Sequence, residues 1–318
     1  MRMIIGSAIA ATALVGCASP DSVALEHRSE LSAQTRGVQL DSNGRVSNVG
    51  MFGTTCQVTT EFAMMSDDFD YNSQEDTVVD AQTVPGRGLT AVVITPDEVN
   101  ITTPNLFPWT STRTVVGVVD ARLTEAGFVA TQVPPQLAGT DCNVTWYDEG
   151  GNEIASAVSL GIECDADSDL ATDPVSGTTW VSTDAGVLRV TPDGTILPVD
   201  DTPNARLAWD AASDALYVGG LGSSVVKAVE TDGAHRWEVE LDGTITALTH
   251  QGAEANAAVS VLNASGGELI VIDGTTGEIE ADLPTPSAAN ALEVSDDGRV
   301  LAVTLPNSVH FFDILDAQ

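Results

Sequence analysis

The chain has 318 residues, with 46 acidic against 12 basic side chains and a formal net charge of −34. Such a surface repels phosphate backbones and anionic head groups, which excludes nucleic acid as a partner and holds the body of the protein off a lipid surface. The length suits one large repeat domain or two ordinary ones.

Met1-Arg2-Met3 is a short basic start, and Ile4 to Val15 is an apolar stretch broken only by small residues such as Gly6, Ser7 and Thr12. A helix needs ~20 apolar residues to cross a bilayer, so this stretch reads as the core of a secretory signal. It runs into Leu14-Val15-Gly16-Cys17, which resembles the lipobox of bacterial lipoproteins. The resemblance implies that residues 1–16 are removed and that Cys17 is acylated on its thiol and its new amino group. The thiolate is the nucleophile that takes the lipid, and several acyl chains give stable anchoring. An ordinary secretory signal with a chance cysteine is the competing reading. Ala18 and Ser19 follow, not the Asp that retains such proteins in the inner membrane. The family rule therefore points to the outer membrane of the cell envelope, facing periplasm or exterior. Residues 17–36 read as lipidated Cys and tether, and 37–318 as the folded domain.

From Val38 onward the chain repeats itself every forty residues or so, a period of the propeller class. Leu40-Asp41-Ser42-Asn43-Gly44-Arg45-Val46 is a weak first unit. Val78-Val79-Asp80-Ala81-Gln82 returns as Val118-Val119-Asp120-Ala121-Arg122. Further units start near residues 165, 205, 246 and 290, each an apolar strand, a turn and a second apolar strand. The third strand of these units ends in an acidic turn, as at Asp193-Gly194, Asp232-Gly233 and Asp273-Gly274. Asp-Gly suits a type I′ hairpin turn. Each unit thus reads as four antiparallel strands, and the fold class as an all-β propeller of seven blades, with six and eight as the neighbouring counts. No segment after residue 36 keeps helical periodicity for three turns. A pair of Ig-like sandwiches is the main rival, which the unbroken period disfavours. The sequence stops at Gln318 after the third strand of the last unit, so the missing outer strand is expected from within residues 22–35.

If Cys17 carries lipid, three cysteines remain in an oxidising compartment: Cys56, Cys142 and Cys164. Cys142 and Cys164 lie closest in sequence and are the first choice for a disulfide, although geometry could favour another pair. Asp165, Asp167 and Asp169 alternate as calcium-wrapping oxygens do, with Asp173 following. Leu170 and Ser176, however, stand where an EF-type loop has its Gly and Glu. A solvated acidic loop competes with the calcium reading. Asp68, Asp70, Asn72 and Asp76 form a second loop of this kind. The histidines His27, His235, His250 and His310 show no zinc-motif spacing, and three of them could line one face of a ring. No nucleophile elbow, phosphate loop or dinucleotide fingerprint is present.

Val226-Lys227-Ala228-Val229-Glu230-Thr231-Asp232-Gly233 with Trp237, and Leu269-Ile270-Val271-Ile272-Asp273-Gly274-Thr275-Thr276-Gly277-Glu278, resemble quinoprotein-type propeller repeats. Leu292 to Val303 is closer to WD-repeat propellers. The resemblance implies that the Trp docks neighbouring blades and that the Asp-Thr-Gly turn builds the hairpin. It implies fold, and fold alone does not fix function. The chain is shorter than quinoprotein dehydrogenases and carries no legible calcium–quinone pocket. It matches the propeller lipoproteins of outer-membrane assembly in outline only. The reading favoured is a lipid-anchored binding scaffold for an envelope protein or ligand, without cofactor. The alternative is a secreted hydrolase or oxidoreductase that uses the central funnel, with calcium as its one candidate cofactor.

Overall fold

The computed structural model describes residues 23–31, 35–40, 46–51, 55–56, 69–70, 77–84, 88–94, 99–102, 118–133, 141–148, 151–163, 168–251, 255–294, 299–306 and 308–316, and every element among them is a strand. The first eight are β1 (Val23–Leu31), β2 (Thr35–Leu40), β3 (Val46–Met51), β4 (Thr55–Cys56), β5 (Phe69–Asp70), β6 (Thr77–Val84), β7 (Gly88–Ile94) and β8 (Val99–Thr102). A first quartet holds β9 (Val118–Thr124), β10 (Gly127–Gln132), β11 (Asp141–Asp148) and β12 (Val158–Glu163). A second holds β13 (Leu170–Thr172), β14 (Thr179–Thr183), β15 (Gly186–Val190) and β16 (Ile196–Asp200). The third is β17 (Ala205–Asp210), β18 (Ala215–Gly220), β19 (Val225–Val229) and β20 (His235–Glu240). The fourth is β21 (Thr244–Gln251), β22 (Asn256–Asn263), β23 (Gly266–Asp273) and β24 (Ile279–Thr285). β25 (Ala291–Val294), β26 (Val300–Leu305) and β27 (Ser308–Asp316) end the chain.

Each quartet is one antiparallel meander, and β6, β7 and β8 form a three-stranded sheet. Among the described residues β2 pairs with β3 and β4 with β5. The first strand of each unit lies against the first strand of the next: β2, β6, β9, β13, β17, β21, β25 and back to β2. These seven inner strands close a ring, and each of the seven expected units supplies one. The fold is an all-β propeller with four-stranded blades.

The ring is closed by β1, which pairs antiparallel with β27 from Val23↔Asp316 to Leu31↔Val309 and completes the last blade in the order β1-β27-β26-β25. The outer strand does come from the N-terminal side, as expected. It also moves the boundary drawn at residue 37, because the ring begins at Val23. The physical reason is twofold. Without β1, β27 would present an open row of backbone donors and acceptors. Leu25 and Ile314 also pack together on the apolar cluster that holds Phe312, Leu301 and Leu269.

The core lies between blades. One cluster joins Val144, Trp146 and Leu160 of the β9–β12 blade to Leu170, Val181 and Val190 of the next. Another joins Trp180 and Val187 to Leu207, Trp209 and Val218. A third joins Tyr217, Val226 and Trp237 to Ile245, Val259 and Ile270. The second strand of a blade is covered on both faces, so all six residues of Ala-Leu-Tyr-Val-Gly-Gly in β18 and of Val-Leu-Ala-Val-Thr-Leu in β26 are buried. This explains the continuous apolar runs in the sequence, which a half-exposed sheet would not show. The outer strand β24 alternates between half-buried and exposed positions instead.

The acidic turns differ from the type I′ expectation. In the β19–β20 turn the Gly233 amide donates to Glu230 O at 2.9 Å and the Glu230 amide to Ala234 O at 2.8 Å. Only Gly233, at φ +91°, takes the left-handed region, and Asp232 does not. That is a type I turn followed by a glycine bulge, the form suited to a three-residue loop. At the β23–β24 turn Gly277 (φ +78°), and not Gly274, has positive φ.

Candidate functional site

The inner strands are sheet edges, so their outward amides need acceptors from elsewhere. Asp169, just ahead of β13, supplies them. Its Oδ1 accepts from the Leu170 amide at 2.9 Å, and its Oδ2 accepts from the Leu207 amide of the following blade at 2.9 Å. Arg122 of the preceding blade donates to Asp169 Oδ1 at 3.1 Å and to Asp120 Oδ1 at 2.6 Å. Arg122 also donates to Ala121 O at 2.9 Å, and the Ala121 amide donates to Asp120 Oδ1 at 2.8 Å. One carboxylate thus ties three consecutive blades at the ring's inner face.

The electrostatics of this cluster are set by its poor access to water. Burial raises Asp120 from 3.8 to about 6; the Arg122 charge works against that rise and the Asp169 charge adds to it. Asp120 therefore changes protonation near neutral pH while sitting between a fixed cation and a second carboxylate. Arg206, on β17 beside Leu207, is half-buried and has no hydrogen-bond or ion-pair partner among the described residues.

Two further polar networks hold blades together. Lys227 Nζ donates to Asp200 Oδ2 and to Thr202 Oγ1, each at 3.0 Å, and His235 Nε2 lies 3.3 Å from the same Asp200 oxygen. Burial alone would raise Asp200, but the hydrogen bonds from Thr202 and Lys227 outweigh it and hold the carboxyl below its usual range. The Tyr217 hydroxyl lies 2.9 Å from Asp210 Oδ2 and 3.1 Å from Ala255 O. Burial pushes that hydroxyl upward, so it remains a donor. Burial also pushes His250 below its usual value, against the pull of Asp210.

The residues singled out by sequence fare unevenly. Cys17, Cys164, Asp165, Asp167, Asp68, Asn72 and Asp76 lie outside the described residues. Asp169 sits in the inter-blade network, so its oxygens are already engaged by three donors. Asp173 closes its own turn, accepting from the Val175 and Ser176 amides at 3.1 and 3.3 Å. Cys142 is buried and disulfide-bonded, and its partner lies outside the described side chains. Among the described residues no three His, Cys, Asp or Glu side chains come together as a metal site.

The histidines do not line one face. His250 is on an inner strand and His235 opens the outer strand β20, while His27 and His310 meet in the closing blade with ring centroids 5.6 Å apart. Asp120, Arg122 and Arg206 were visible in the sequence only as repeat positions.

The tryptophan docking implied by the quinoprotein resemblance is present. Trp237 Nε1 donates to Gly274 O in the next blade at 2.8 Å. Trp146 Nε1 makes the corresponding kind of contact with Gly177 O at 2.7 Å.

No protein-family model matches the chain. No curated protein matches it either. Among solved structures, the chain is similar to one in the crystal structure of the mitotic checkpoint complex, with a TM-score of 0.68 and 15% identity over 97% of this chain and 100% of that one. At that identity the likeness shows the fold alone, in keeping with the propeller described above.

Proposed function

We propose that this protein is a lipid-anchored extracytoplasmic propeller that binds a protein or ligand at the cell envelope. The lipobox-like Leu14-Val15-Gly16-Cys17 supports the anchor, and the closed ring supports the scaffold. The observation that carries the binding reading is Arg206. In a chain of net charge −34, a half-buried cation with no partner among the described residues stands beside the network that locks three blades. Its guanidinium can meet a carboxylate on a partner, and the rigid inner edge holds it in place.

The short N-terminal approach sharpens the picture. With β1 starting at Val23, only residues 18–22 separate Cys17 from the ring, a reach of roughly 20 Å in an extended chain. An anchored ring would stand close to the bilayer, held by its last blade. Two experiments test the proposal. Metabolic palmitate labelling should mark the wild-type chain and not Cys17→Ser, and unlabelled wild type would remove the anchor. Pull-down from detergent-solubilised membranes should recover a partner with wild type and lose most of it with Arg206→Gln. A clean wild-type monomer would remove the scaffold reading.

One observation favours the alternative, a funnel enzyme. Asp120, held at about 6 beside Asp169 and Arg122, has the proton affinity of a general acid or base at neutral pH. Turnover of chromogenic esters or glycosides by wild type but not by Asp120→Asn would support it. Turnover by neither would remove it for those substrate classes.

A further inference from the structure

In a four-stranded meander the turns after the first and third strands lie at one end, and the turn after the second strand lies at the other. The Glu125 amide of the β9–β10 turn donates to Pro174 O of the β13–β14 turn at 2.9 Å, so neighbouring blades hold the first of these ends level. Among the described residues six large apolar side chains are exposed, and five of them lie at that end. Val175 is in the β13–β14 turn and Ile154 in the segment between β11 and β12. Ile196 and Ile279 open β16 and β24, and Leu315 is next to the last residue of β27. The sixth, Leu262, is near the β22–β23 turn at the other end. The chain enters the ring at the end that holds the five, because Val23 pairs with Asp316 at the close of β27. Arg206 is the second residue of β17 and Asp169 precedes β13, so both lie at the opposite end.

Single exposed apolar residues are ordinary on a protein surface. Their one-sided placement, at the end where the chain enters, is what calls for a cause. The five belong to the β9–β12, β13–β16, β21–β24 and closing blades, so they are spread round the ring and not gathered in one pocket. A flat, extended boundary meets such a set, whereas a compact partner meets one or two of its members. The inference rests on the acylation of Cys17 proposed above, which leaves only residues 18–22 between the bilayer and Val23. So short a leash makes contact between this end and the lipid intramolecular, and a few apolar side chains then suffice to hold it. We propose that this end of the ring is a seat for a zwitterionic phospholipid bilayer, and that the opposite mouth, with Arg206 and Asp169, faces away from the membrane. Asp193 and Asp232 are exposed in turns at the seated end. They repel anionic head groups, which sets the choice of lipid.

The full chain, made with its acyl groups, is bound to phosphatidylcholine vesicles and recovered by flotation. Its amide exchange is compared with that of Cys17→Ser in solution. Exchange in the turns 173–178, 191–195 and 274–278 should slow by about threefold or more, and the turn at 264–265 should be unchanged. A chain that fails to float lacks the anchor, which removes that reading and the seat together. A chain that floats without slowing at these turns, or that slows at 264–265 instead, overturns the seat and leaves the anchor standing. The double variant Val175→Ser, Ile279→Ser changes two exposed side chains, so it should float as wild type does and lose most of the slowing. Equal slowing in the variant overturns the apolar contact. On phosphatidylglycerol vesicles the chain should float with its turns unprotected, and full slowing there overturns the choice of lipid. Slowing seen only in native membrane vesicles assigns this end to a protein partner and overturns the bilayer as its occupant.

Discussion

Trp237 on β20 donates its indole N–H to the carbonyl oxygen of Gly274, 2.8 Å away in the next blade. The same indole lies flat under Gly277, where an added Cβ would come within 2.9 Å of the ring. The contact depends on two things at once, an aromatic donor on one blade and glycines at Gly274 and Gly277 in the turn of the next.

Trp237→Phe should cost about 1–3 kcal/mol, since it keeps most of the apolar area but leaves Gly274 O without its donor. Trp237→Ala should cost about 3–5 kcal/mol through the added cavity. Urea denaturation with an unchanged m-value is the measurement. Equal midpoints for wild type and Phe would show that the hydrogen bond contributes nothing.

Asp169→Ala should destabilise the ring by about 1–3 kcal/mol, because it leaves the Leu170 and Leu207 amides without their acceptor and takes from Arg122 one of its two carboxylate partners. Asn at the same position keeps an acceptor and should recover part of that loss. Amide exchange at Leu207 gives a local check: protection should fall in the Ala variant before the rest of the blade responds.

The pH dependence has a definite sign at Asp120. Its carboxyl sits at about 6 when folded, against an ordinary value of 3.8. The folded state therefore holds more protons between those values, and this group's stabilising contribution is greatest below the lower one. The contribution is lost as pH rises through about 6. Asp120→Asn should remove this slope, so the difference between wild-type and variant midpoints should change across that window and be flat above pH 7. A difference that is flat throughout would show that Asp120 titrates normally.

Deleting residues 23–31 should leave a chain that aggregates or dimerises, because β27 then presents an open edge. Light scattering on the truncated chain checks this. A stable monomer would mean that β1 is dispensable for closure.

The period and the closing strand were legible because both follow from backbone needs. Every blade requires four strands, and an incomplete last blade requires a donor from the other end. Trp237 was legible for a similar reason, since a repeat motif carries its partner in the repeat. The Asp120–Arg122–Asp169 network was not. Arg122 reaches Asp169 across a blade boundary, and whether it does so depends on the relative phase of two strands 47 positions apart. The turn type is not legible in the sequence because Asp-Gly is compatible with two hairpin geometries. The bulge between Ala228 and Val229 belongs to the longer loop. That His27 and His310 meet is not legible in any local reading, since nothing near either residue refers to the other.

The closing strand also decides how the ring responds to being pulled. Any load applied through the N-terminal segment enters at Val23, which pairs with Asp316 at one end of the β1–β27 ladder. The ring therefore has a built-in mechanical fuse. β1 must peel or shear from β27 before any other blade feels tension, and the strength of the whole assembly under force is set by a single nine-residue strand.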